Sequence, residues 1–235
     1  MPLSMEDQGA IDSKMKELIS LYFEVKKLVI ASENATRGNR LSIPAINELR
    51  NANDHLLRAF AVSYGVTPPP QEWKRPPVEY CVKNIDKAIG HVYRAGYDAL
   101  DIIAMGLTEG ILSDFGGFSM ATRVGVFADY ARDIRIPLQK AAAICDEAKT
   151  LKDVEVFDTA REFFVGYKNV IEMLKSVRDL IDSRMPELVV VEAEAKAAEE
   201  RHRRHAIKMH AIWTVIGIVA AILIAIAIWY IPPHH

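Results

Sequence analysis

One stretch, Ile212 to Ile231, restricts what this chain of 235 residues can fold into more than any other. It reads Ile-Trp-Thr-Val-Ile-Gly-Ile-Val-Ala-Ala-Ile-Leu-Ile-Ala-Ile-Ala-Ile-Trp-Tyr-Ile, without a single Asp, Glu, Lys, Arg or His. At ~1.5 Å per residue such a helix reaches across the ~30 Å hydrocarbon core of a bilayer. A helix packed in a soluble core rarely stays this apolar on every side. Trp213 at one end, and Trp229 with Tyr230 at the other, match interfacial aromatic belts, and Pro232-Pro233 then stops the helix. The sequence predicts a membrane-spanning helix over 212–231.

Arg201, Arg203, Arg204 and Lys208 precede this run and no Lys or Arg follows it. The positive-inside bias therefore predicts that the preceding residues lie in the cytoplasm and that a short tail, 232–235, lies outside. The N-terminus shows no basic region leading into an apolar one, so no cleaved signal peptide is expected and the topology reads as a tail anchor. His202, His205 and His210 stand among the same basic residues, a composition suited to anionic lipid headgroups more than to a metal.

The formal charge of the chain is −2. Residues 201–235 hold four basic and no acidic residues, which leaves 29 − 4 = 25 basic against 31 acidic elsewhere, a balance of −6. Contact with nucleic acid would need a local basic patch. Cys81 and Cys145 lie among apolar neighbours, and a cytosolic setting predicts two buried thiols rather than a disulfide. No zinc-site spacing, P-loop, dinucleotide fingerprint or paired metal-binding acids occur, so neither cofactor nor metal is expected.

Gly and Pro fall between long segments of helical periodicity, which predicts an all-α fold. The first helix is expected near Glu6 to Ala31, with Ile11, Met15, Leu18, Ile19, Tyr22, Val25, Leu28 and Val29 inward. Ser42 caps a second helix with Pro44 in its first turn, and Ile46, Leu49, Leu56 and Phe60 form its stripe. A proline-rich loop over 64–77 holds Trp73 with Lys74 and Arg75, either as a tryptophan pinning the loop or as a nucleotide stack. A third helix starts at Val78, with Ile85, Ile89, Val92, Ala99 and Ile103 inward, and ends before Gly116-Gly117. A fourth runs from Ser119 towards Thr150 and is expected to kink or split at Pro137.

The fifth helix, Val154 to Ser183, has the cleanest stripe: Ala160, Phe163, Phe164, Tyr167, Val170, Ile171, Leu174, Val177 and Ile181. Pro186 is placed to open a last helix that continues into the membrane. The expected organisation is a cytosolic helical bundle of about five helices over 1–185, a helical stalk with its basic cluster over 186–211, the span, and the tail.

Leu49-x-x-Ala52-x-x-His55-Leu56-x-Arg58-Ala59 parallels Ile85-x-x-Ala88-x-x-His91-Val92-x-Arg94-Ala95 at an offset of 36 residues. Chance likeness between amphipathic helices and a duplicated hairpin both account for this. Arg50-Asn51-Ala52-Asn53-Asp54-His55 resembles the Arg-x4-His signature of the HEPN ribonuclease superfamily. That resemblance implies a metal-independent ribonuclease in which Arg50, Asn51 and His55 form the site, with His55 in acid/base work and Arg50 on the phosphate. In the plainer reading Arg50 pairs with Glu48, Asp54 or an acid of the third helix.

Arg37 and Arg40 flank Gly38 beside Asn34, Thr36 and Asn39, a loop composed either to hold phosphates or simply to be solvated. With Arg50, Arg58, His91 and Arg94 they form the candidate ligand-binding set. In the span, Gly217, Ala221 and Ala225 recur every four residues, a small-residue ridge that lets helices approach and self-associate. A pore built from several copies would be lined by alkyl groups.

A helical bundle, a stalk and one self-associating span are similar in architecture, without a shared motif, to the single-span membrane effectors of bacterial anti-phage defence, among them the Hailong effector. The resemblance implies a homo-oligomer in the bacterial inner membrane. Its bundle would sense a nucleotide or single-stranded oligonucleotide, supplied by a partner nucleotidyltransferase, and its span would depolarise the cell. A non-catalytic tail-anchored scaffold is the other class that the same architecture serves.

Overall fold

The computed structural model describes the backbone over residues 5–35, 42–151 and 157–230, and the side chains over 7–35, 42–147, 161 and 164–227. The described residues are helical throughout, without a strand: α1 Met5–Ala35, α2 Ile43–Ser63, α3 Pro77–Gly116, α4 Met120–Val126, a π-helical turn Ala131–Arg135, α5 Ile136–Leu151 and α6 Phe157–Tyr230. Two compact units are formed, one by Met1–Gly117 with Asp129–Ser183, the other by Phe118–Ala128 with Arg184–His235.

In the first unit α3 is the central element. From Val92 to Leu100 every residue but Arg94 is buried, which requires cover on more than one side. α1 and α2 each pack along α3, and α6 brings Phe164 edge-on to Tyr93 at 5.6 Å and to Tyr97 at 5.9 Å. Gly96 permits that approach, since a Cβ there would sit 2.6 Å from a Phe164 ring carbon. The expected α6 stripe is core: Tyr167, Val170, Leu174 and Ile181 are each at most 1% exposed. Full burial of such side chains is worth ~1.5–3 kcal/mol each. Tyr167 donates to Asp101, and burial together with that carboxylate pushes its phenol well above the usual range. Ala160 and Phe163 lie outside the described side chains.

Two expected stripes shift. On α2 the buried residues are Ala45, Ala52, Ala59 and Val62, while Ile46 is exposed and Leu49, Leu56 and Phe60 are half-buried. Small side chains let α2 approach α3 closely, which turns the larger ones outward to the edges of the contact. On α1 Ile11, Leu18, Leu21, Val25 and Val29 are buried, whereas Ile19 and Tyr22 remain exposed.

The helix ends follow local chemistry. Ser42 Oγ accepts from the Ala45 amide at 3.4 Å, and proline in the first turn loses no intrahelical bond. Trp73 is a pin: its indole N–H donates to the Pro76 carbonyl at 3.3 Å, and its ring lies edge-on to Tyr80 at 5.4 Å. The expected fourth helix splits, but upstream of Pro137. α4 ends at Val126, and a π-helical turn precedes α5, whose second residue is Pro137. The π-helical turn runs directly into α5, so the amide that Pro137 lacks falls where the hydrogen-bond register is already changing.

Pro186 does not open a separate helix, contrary to expectation. It lies inside α6, which runs unbroken for 74 residues. Ile181 and Leu188 on either side of it are buried, and packing of this kind outweighs the one amide that proline removes.

The second unit contains α4 and α6 from Arg184 onward. The Glu192 carboxylate accepts from the Ser119 amide at 3.0 Å and from the Thr122 hydroxyl at 2.7 Å. At the other end of α4, Arg184 donates to the Val126 carbonyl at 2.9 Å. Leu188 is fully buried between these two clamps along α6. The segment after 185, expected as a bare stalk, therefore carries a short helix on its side.

Candidate functional site

The histidines and arginines singled out in the sequence converge in part on the seam between α2 and α3. His55 and His91 stack at 5.2 Å with their planes 19° apart. Asn84, 6% exposed, donates its amide to the Tyr80 carbonyl at 2.9 Å, and its oxygen lies 3.0 Å from His55 Nδ1. An oxygen that can only accept requires a proton on that nitrogen, so His55 donates to Asn84 through Nδ1.

His91 and Arg94 meet on a single carboxylate oxygen. His91 Nδ1 lies 2.7 Å and Arg94 Nε 2.9 Å from Glu48 Oε2. Burial pushes the His91 pKa down, and Arg94 and His55 add to this against the pull of Glu48. Burial would raise the Glu48 pKa, but the hydrogen bonds from His91 and Arg94 hold it below the usual carboxylate range. Arg94 Nη2 also lies 2.7 Å from His91 Nδ1, so one imidazole nitrogen faces both the Glu48 carboxylate and the guanidinium that balances it. The seam is close to charge-balanced and thus a poor receptor for phosphate.

The remaining candidates do not join it. Arg58 is paired with Asp54 at 2.8 Å. Arg50 is exposed, and five residues separate it from His55, which turns it ~140° around α2. Neither expected partner is its own, since Glu48 serves His91 and Arg94 and Asp54 serves Arg58. Asn51 is half-buried, and Arg37 and Arg40 lie outside the described residues. The 36-residue offset brings the two histidines face to face but gives their arginines different partners. Glu48 and Asn84 were missed as site residues, because their partners lie 43 and 29 positions away.

The second candidate is the span. The described side chains of α6 from Arg201 to Ala227 are exposed on every face, the Gly217, Ala221 and Ala225 ridge included. It is the one helix among the described residues long and apolar enough to cross a membrane. Thr214 satisfies its hydroxyl within the helix, donating to the His210 carbonyl at 2.8 Å. Arg204, in the basic cluster, pairs with Glu200 at 3.3 Å.

Fold and span together define a class: an all-α bundle carrying one candidate membrane helix. No family model matches the chain, and no curated protein or solved structure matches it either.

Proposed function

We propose that the protein is a self-associating membrane effector, with its helical bundle on the cytoplasmic side and its α6 span acting on the bilayer. The observation that carries this is an α6 segment exposed on every face, from Ile212 to Ala227, without one charged residue. Burying that surface in lipid recovers a hydrophobic free energy that water denies it. The basic cluster before it supports the orientation through the positive-inside bias. Gly217, Ala221 and Ala225 support self-association, since small residues let helix backbones approach.

In this reading the copies form an alkyl-lined pore in a bacterial inner membrane, held shut by dewetting. Its opening depolarises the cell in the manner of the anti-phage effectors that the chain resembles. The trigger is a nucleotide or single-stranded oligonucleotide made by a partner nucleotidyltransferase and taken by the bundle. A nuclease draws less support, because His55 is engaged in holding α3 to α2.

The experiment replaces Gly217 and Ala221 by Leu. The span stays apolar and long enough to insert, but loses close contacts worth ~1–2 kcal/mol each in membrane helices. Depolarisation on overexpression, read with a potential-sensitive dye, is expected to fall in this variant and to vanish when 201–235 is deleted. Undiminished depolarisation in the Leu variant would overturn the proposal.

A further inference from the structure

α1 and α2 both rest on α3 and leave between them an open groove of about 540 Å³. Ile19, Tyr22 and Phe23 of α1 form one wall, Leu49 and Leu56 of α2 the other, and Val92 of α3 lies at the floor. Ile19 and Phe23 are 48% and 58% exposed, and Ile46 and Leu57 extend the apolar surface along α2. Two parallel apolar edges at helical spacing over a shared floor are the receiving half of a helix-in-groove contact.

The charge on the rim narrows the occupant. Lys16 lies three residues before Ile19, and Arg50 three before Asn53, another lining residue. Lys26 and Lys27 follow Tyr22 and Phe23 by four. All four cations are exposed, and none has a carboxylate partner among the described residues. Asp12, which accepts from the Gln8 amide at 3.1 Å, and the half-buried Glu33 are the acids on that stripe of α1. Two copies meeting groove to groove would set these cations against their own counterparts. The groove instead suits an acidic helix.

The chain contains one. Glu187–Glu200 of α6 holds five Glu against Lys196, a balance of 1 − 5 = −4, of which Glu192 is taken up by α4 while Glu187 and Glu200 form exposed pairs with Arg184 and Arg204. Val189 and Val190 are 53% and 56% exposed there, with exposed Ala193 and Ala197 on the turns that follow and Glu194 and Glu200 exposed beside them. We infer that the acidic segment Glu187–Glu200 of one copy docks into the α1/α2 groove of another. The contact is heterologous, one surface meeting a different one, so repetition among copies builds a ring if its rotation closes and an open row if it does not. The inference rests on the self-association proposed above and names a second surface for it.

The experiment uses full-length protein in membranes, with Cys81→Ala and Cys145→Ser as background. Asn53→Cys and Ala193→Cys are placed in separate, differently tagged copies, and Ile218→Cys serves as a control for contact through the span. On oxidation, cross-linked dimers are expected from the mixed Asn53→Cys and Ala193→Cys copies and from neither alone. Lys16→Glu with Arg50→Glu should abolish them, and Glu194→Lys with Glu200→Lys in the opposite copy should restore them. Cross-linking of Asn53→Cys copies to one another would overturn the proposal in favour of a groove-to-groove dimer. No mixed cross-link while Ile218→Cys copies still cross-link would overturn it alone, assigning the groove to another protein's helix or an anionic amphiphile. Loss of both would overturn it together with self-association.

Discussion

The His91 pKa is held down chiefly by burial, with Arg94 and the stacked His55 adding to it, although a carboxylate lies 2.7 Å away. Its pKa is lowered from 6.5, so on acidification the unfolded chain takes up this proton first, and the stability contributed by the neutral ring is lost as pH falls below that value. Glu48 acts in the same direction at lower pH. Its lowered pKa contributes stability above 4.5 that disappears as pH drops through the folded value. The melting temperature of detergent-solubilised protein should therefore fall from about pH 8 to about pH 5.5, and His91→Gln should flatten that slope while lowering the plateau. An unchanged slope in the variant would remove His91 as its source. The sequence displayed His91 and Arg94 as neighbours on one helical face, since three residues make a turn. Glu48 was invisible as their shared acceptor because the contact depends on how two helices are registered. Arg50 failed as its partner for the same reason: spacing along α2 cannot tell which flank α3 will cover.

At the scale of elements, the ends were more legible than the faces. Ser42 with Pro44 and the stop at Gly116 are set by local hydrogen bonding and read directly from residue type. The buried face of α2 was misread because large apolar residues were taken as core, when the close approach of α3 selects alanines. Pro186 was misread because burial on both sides of it decides whether a helix tolerates proline. The clamp on α4 is of the same tertiary kind. Thr122 and Ser119 hold the Glu192 carboxyl down to about 2, so the clamp is at full strength above the ordinary carboxylate range and weakens as pH falls towards 2. Glu192→Gln keeps the shape and removes the charge that makes these bonds short. Faster hydrogen exchange across Met120–Val126 is expected in that variant at neutral pH, with the α3 amides unaffected. Equal protection of α4 in both proteins would show the clamp to be dispensable.

At the scale of the whole molecule, helical class and span were both plain in the sequence, since hydropathy needs no tertiary context. The groove between α1 and α2 was not, because Ile19 and Tyr22 were assigned to the core by periodicity alone. The membrane assignment predicts that alkaline carbonate leaves the protein in the pellet, and that deleting 201–235 releases the bundle into the soluble fraction. Extraction of the full chain by carbonate would refute it. The exposed apolar surface of α6 also bears on how the protein is made. None of the described residues covers that surface, so a newly synthesised copy meets water with an aggregation-prone helix that must be shielded. Under the proposed membrane assignment, the quantity of protein a cell can carry is limited by its targeting capacity and free bilayer area, before the stability of the bundle comes into play.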